Sequence, residues 1–143
     1  MMAYIDSSVL MRIVLQAPDP LAEWNDLEQG VTSVLTDVES HRVLDRLWHN
    51  NELTENDLAG KRAALATFLP RLDQRSIDEA VVRLASASLP VSLRALDAIH
   101  LATALIYRSA QPSDDRPILF ATHDRQLAKA AAGMQFDVIG AAA

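Results

Sequence analysis

Short apolar runs alternate with longer amphipathic stretches along the whole chain. Ala3–Asp6 has the apolar density of a buried strand. Ser7 and Ser8 then supply N-caps for a helix over Val9–Leu15. Pro18-Asp19-Pro20 is a turn that opens a second helix to about Leu27, with Gly30 as its stop. Val31–Ser33 predicts another strand. Thr36–His49 predicts a helix, because Val43, Leu44, Leu47 and Trp48 recur at helical spacing, and Asn50-Asn51 breaks it. Thr54-Glu55-Asn56-Asp57 caps a helix that runs to about Leu69-Pro70. Leu72–Ser76 reads as a short strand, Ile77–Ala87 as a helix and Leu89-Pro90 as a turn. Leu96–Tyr107 is apolar nearly all round, the pattern of a buried helix. A polar loop over 110–117 leads to a strand at Pro117–Ala121. A helix at Asp124–Ala132 follows, stopped by Gly133, and a last strand lies at Phe136–Ile139.

Strands alternating with helices imply an α/β fold whose short-stranded parallel sheet is covered on both faces. Ligand sites in such sheets lie beyond the carboxyl ends of the strands. No repeat, linker or second hydrophobic unit is visible. The expectation is therefore a single domain over residues 1–140, with 141–143 as a frayed tail. A domain of 143 residues buries roughly 68–70% of its unfolded surface, enough for a core without disulfides or a structural metal.

Composition narrows the chemistry. Cysteine is absent, which removes disulfides, zinc–thiolate sites and thiol nucleophiles and fits a reducing, cytoplasmic setting. No stretch is suited to spanning a membrane: Leu96–Tyr107 is too short and contains Asp97 and His100. The N-terminus reaches Asp6 without a basic region, unlike a signal peptide. A net charge of −6 argues against non-specific binding of polyanions. It leaves room for a local basic rim, since the local field governs a site.

Four acids stand where an apolar run meets the start of a helix: Asp6, Glu39, Asp97 and Asp124. Each has an ordinary explanation. Glu39 completes a capping box with Thr36, Asp97 suits a helix N-terminus, Asp124 is an N-cap and Asp6 a turn residue. Together they are harder to dismiss. Acids in apolar surroundings are costly, and no run of Lys or Arg accompanies all four. Two like charges about 4 Å apart repel by roughly 4 kcal/mol at an effective dielectric near 20. That is large against a total stability of about 5–15 kcal/mol. An all-oxygen cluster suits Mg²⁺ or Mn²⁺, and such clusters serve phosphoryl and phosphodiester chemistry.

The stretches Tyr-Ile-Asp6-Ser-Ser-Val-Leu, Ser-Val-Leu-Thr-Asp-Val-Glu39-Ser-His-Arg, Leu-Arg-Ala-Leu-Asp97-Ala-Ile-His-Leu-Ala-Thr-Ala and Phe-Ala-Thr-His-Asp124-Arg-Gln-Leu-Ala-Lys-Ala-Ala span almost the whole chain. In this order they resemble the PIN-domain ribonucleases, and among those the VapC-type toxins of bacterial toxin–antitoxin pairs. The resemblance implies an α/β/α sandwich and cleavage of single-stranded or loop RNA with one or two Mg²⁺ or Mn²⁺ ions. It assigns catalysis and metal binding to Asp6, Glu39, Asp97 and Asp124, with Glu39 either ligating or orienting a water. Ser7 or Ser8, and Thr122, match hydroxyl groups that support the acids. A cognate antitoxin is implied, and an acidic pocket suits an inhibitory segment carrying Arg or Lys. The apolar residues of Val9–Leu15 and Leu21–Leu27 offer a groove for a partner helix or a surface for a homodimer.

Arg12, Arg42, Arg46, Arg94 and Arg125 recur near the acidic segments; Arg94 and Arg12, close to Asp97 and Asp6, are the leading candidates for contacts to substrate phosphates, as against surface ion pairs. As a metal ligand His100 would favour Zn²⁺ or Fe²⁺ over Mg²⁺; it reads instead as a packed histidine with a local partner. His41, His49 and His123 read as surface or rim residues, and Trp24 and Trp48 as core or interface. Two rival functions remain. A non-catalytic RNA- or partner-binding module on the same scaffold would have lost one or more acids, and all four are present. An aspartyl phosphatase needs a second Asp two residues after its nucleophile and a nearby Lys. Here Asp6 is followed by two serines, and the first lysine is Lys61.

Overall fold

The computed structural model describes residues 1–112 and 116–141. Five strands form one sheet: β1 (Met2–Ile5), β2 (Gln29–Ser33), β3 (Asp73–Arg75), β4 (Ile118–Ala121) and β5 (Val138–Ile139). Their order is β3-β2-β1-β4-β5, and every pairing is parallel. β1 is central because both its faces are apolar, with Ala3, Tyr4 and Ile5 all fully buried. The outer strand β3 is short and polar, a composition that suits a sheet edge.

Among the described residues six α-helices complete the layers: α1 (Ser7–Val14), α2 (Leu35–His49), α3 (Glu55–Phe68), α4 (Glu79–Ala85), α5 (Ala95–Ala110) and α6 (Arg125–Gly133). The alternation of side chains along β1 divides the core. Ala3 and Ile5 join Val9, Leu10 and Val14 of α1, Leu44 of α2 and Leu58 and Leu65 of α3. Tyr4 faces the other way, with Phe120, Leu101 and Leu105 of α5 and Leu127 and Ala131 of α6. The expected α/β/α sandwich is thus present.

Several local expectations need correction. The segment Leu21–Leu27 forms no α-helix, only a single 3-10 turn at Trp24–Asp26. Gly30 is not a helix stop but lies buried inside β2, against Leu72. Neither Ser7 nor Ser8 is an N-cap. Ser7 is already helical, and the capping position belongs to Asp6. The apolar residues of the first helix are not free for a partner: Val9, Leu10, Met11 and Val14 are buried, as is Leu21. The protein's own core therefore fills most of the expected groove. Residues 113–115 of the expected 110–117 loop, and 142–143 of the expected tail, lie outside the described residues. Among the described residues no helix is long and apolar enough to cross a membrane.

Candidate active site

β1 and β4 are neighbours, so the chain leaves both strands at the same edge of the sheet. Asp6 follows β1 directly, and its amide donates to the Ala121 carbonyl of β4 at 3.0 Å. Asp124 caps α6, with Oδ1 accepting from the Leu127 amide at 2.9 Å. Thr122 lies between the two acids and is fully buried. Its hydroxyl donates to Asp6 Oδ2 at 2.9 Å and accepts from the Asp124 amide at 3.0 Å. Ser8 donates to the same Asp6 oxygen at 2.6 Å and accepts from the His123 amide at 3.0 Å. Two hydroxyls therefore fix Oδ2 of Asp6, while Oδ1 stands 3.6 Å from His100 Nε2. Of the two serines, Ser8 is the one that holds Asp6.

Asp97 sits in the first turn of α5, at the positive end of the helix dipole. Its carboxyl is pushed above the usual carboxylate range, first by burial and then by the charges of Asp124 and Asp6. Arg94 and His100 offset part of this. Asp97 thus feels the charges of Asp6, 91 residues before it, and of Asp124, 27 residues after it. Arg94 is exposed, with Nε 3.8 Å from Asp97 Oδ2. Arg12 is engaged elsewhere, donating to the Asp19 carbonyl at 2.8 Å.

Glu39 is not part of a capping box. α2 begins at Leu35, one residue before Thr36. Thr32 donates to the Ile5 carbonyl at 2.6 Å, so in its 2.7 Å contact with Thr36 the Thr36 hydroxyl is the donor. Glu39 Oε1 instead meets His100 Nε2 at 2.5 Å. The other ring nitrogen of His100 meets the Tyr4 hydroxyl at 2.7 Å. Burial disfavours a charged His100, but the bond to Glu39 and the charges of Asp6, Glu39 and Asp97 outweigh it and raise its pKa. Burial, together with Asp6 and Glu39, drives the Tyr4 phenol well upward, so it stays neutral.

His100 is thus packed, as expected, but its partners lie 96 and 61 residues away rather than nearby. Its spacing three residues after Asp97 was the one signal of proximity to the acids. Tyr4 carried none, since its pattern is that of any core strand residue. His41 is partly exposed and His49 exposed, and they pair with Asp37 and Asp45. Trp24 packs edge-on against Phe68 at the core, and Trp48 is partly exposed beside His49.

The donor set is carboxylate oxygen, matched to a hard divalent cation. Among the described residues no three His, Asp or Glu side chains already close into a cage for a metal ion. Mg²⁺ keeps several waters and takes one or two carboxylates directly, so an open set of mutually repelling acids fits it.

The family model described as PIN domain matches residues 3–133. The chain belongs to the PIN-domain family. This PIN domain is 33% identical over 144 residues to Ribonuclease VapC35 of Mycobacterium tuberculosis, with 96% of each chain covered. It is 35% identical over 101 residues to Ribonuclease VapC46 of the same species, covering 71% of this chain and 72% of that one. The solved structure of FitAcB from Neisseria gonorrhoeae superposes with a TM-score of 0.60 over 96% of each chain at 19% identity, a likeness of fold.

Proposed function

We propose that this PIN domain is a divalent-metal-dependent endoribonuclease, acting in the cytoplasm as the toxin of a type II toxin–antitoxin pair. The observation that supports the reading most is the hydroxyl bridge from Asp6 through Thr122 to Asp124 at the carboxyl edge of β1 and β4, with Asp97 in the first turn of α5 near enough for their charges to raise its pKa. The relatives named as ribonucleases support it, and so does the presence of all four acids.

Asp6, Asp97 and Asp124 hold one or two Mg²⁺ or Mn²⁺ ions, and Glu39 completes the set as a ligand or by orienting a water. The bound metal supplies Lewis-acid polarisation of the phosphate and a lowered pKa for the attacking water. Ser8 and Thr122 hold Asp6 in one orientation through its Oδ2, leaving Oδ1 for the metal. Arg94 is exposed beside Asp97 and reaches a substrate phosphate. The same acids are the point at which a basic segment of the antitoxin inhibits, by pairing Arg or Lys with them. The active toxin is a homodimer.

RNA cleavage measured with Mg²⁺ or Mn²⁺ and again in EDTA tests the reading, with a simple phosphate ester as control substrate. Cleavage of RNA alone, abolished by EDTA, is expected. Asp6→Asn, Asp97→Asn and Asp124→Asn should each lower the rate by about 10²-fold or more, the scale of removing one electrostatic contact to a developing charge. Two folded variants that cleave at the wild-type rate would overturn the site. Expression that leaves growth unaffected would overturn the toxin role alone.

A further inference from the structure

The proposed chemistry leaves a buried polar relay unused. His100 is wholly enclosed, as is Tyr4. Both ring nitrogens of His100 are engaged, by Tyr4 of β1 at 2.7 Å and by Glu39 of α2 at 2.5 Å. An ionised carboxylate can only accept, so the hydrogen facing Glu39 belongs to Nε2. The same nitrogen lies 3.6 Å from Asp6 Oδ1. One N–H therefore stands between two carboxylates that otherwise repel. Whichever group donates at Nδ1, the Tyr4 hydroxyl keeps the ring from turning.

The ring of Tyr4 packs against Phe120, but the polar atoms of a histidine and a phenol add nothing to the packing of an apolar layer. Leu and Phe would fill a comparable volume and leave no polar atom to satisfy. The arrangement gains meaning beside the other acids. Asp6 has one oxygen held, by Ser8 and Thr122, and Asp124 has one held by the Leu127 amide. Glu39 follows the same rule only through His100. It also has one more rotatable bond than Asp, and its side chain is 17% exposed. Untethered, it would lose more conformational freedom on meeting a ligand.

We infer that His100, braced by Tyr4, is a positioning residue that holds Glu39 beside Asp6 by one carboxylate oxygen and presents the other to the metal site. The inference rests on the metal reading given above.

The test is Mn²⁺ affinity, measured by calorimetry on the full chain, with melting in EDTA to verify folding. His100→Leu removes the donor and keeps apolar bulk. It should weaken Mn²⁺ binding by about 10–100-fold, the usual effect of losing a group that orients a ligand. His100→Gln places an amide N–H near the position of Nε2 and should restore most of that affinity. Tyr4→Phe keeps the ring against Phe120 and should give a smaller loss. Equal Mn²⁺ affinity in the Leu and Gln variants, at wild-type level or below it, overturns the inference. If the Leu variant does not fold, unchanged affinity in Tyr4→Phe overturns it instead, and weakened affinity there with near-normal affinity in His100→Gln upholds it. A wild-type chain that binds no Mn²⁺ overturns the metal reading itself, before any substitution is compared.

Discussion

Thr122 joins two acids through one hydroxyl, donating to Asp6 and accepting from the Asp124 amide. Thr122→Val keeps the shape and removes both bonds. Leaving these groups without their partner should cost about 1–3 kcal/mol, read by urea denaturation, whereas Thr122→Ser should stay close to wild type. Asp97 gives a prediction in pH. Its folded-state pKa is raised by burial and by Asp124 and Asp6, while in the unfolded chain it titrates normally. Folding is therefore disfavoured wherever the folded carboxyl must be ionised. The penalty is full at neutral pH and shrinks as pH falls through the raised pKa. Metal-free Asp97→Asn should be more stable than wild type at neutral pH and lose that advantage by about pH 4, the ordinary carboxylate range. An equal advantage at both pH values would contradict this. The four candidate acids stood out because each interrupts an apolar stretch at a strand end or helix start. Nearness in sequence says nothing of where α1 points a side chain, and it points Arg12 at the Asp19 carbonyl. The Tyr4–His100–Glu39 contacts join residues too far apart in sequence for any local pattern to reveal.

Most strands and helices emerged within a residue or two of their predicted limits, since hydrophobic periodicity depends on which face is buried. The helix expected at Leu21–Leu27 failed for a physical reason. Leu21 and Trp24 are both drawn to the core, Leu21 from irregular chain and Trp24 from a 3-10 turn. The start of α2 was missed by one residue because the Ser33 hydroxyl accepts from the Leu35 amide at 3.0 Å, so Thr36 is left to pair with Thr32. Beyond β5, Gly140 adopts a φ of +97°. A Cβ there would lie 2.5 Å from the Thr122 carbonyl oxygen. Gly140→Ala should therefore cost roughly 1–3 kcal/mol or more in unfolding free energy. It should also lower RNA cleavage, because the displaced Thr122 carries both acids with it. Wild-type cleavage in this variant would show that the strain relaxes away from the site.

At the scale of the whole molecule, the elements that carry the candidate acids come together only when the sheet is complete, so on the proposed reading a metal ion would bind the folded chain and not the unfolded one. Mn²⁺ at about 100 times its Kd should add ~2.7 kcal/mol by mass action. A rise of several degrees in Tm should follow and should vanish in EDTA. An equal rise in the Asp97→Asn, Asp124→Asn double variant would place the ion elsewhere. The order of the strands has another consequence, for synthesis. Asp6 emerges from the ribosome early, yet the hydroxyl that fixes it comes from Thr122, 116 residues later, and β1 pairs with β4 at the centre of the sheet. At about 5–20 residues per second, translation separates those two residues by roughly 6–23 s. Through that interval the nascent chain has its first acid but no means of assembling the cluster. On the proposed reading, a protein that cuts RNA stays inert on the message that encodes it at least until Thr122 has been made, and restraint by a partner becomes necessary only after that.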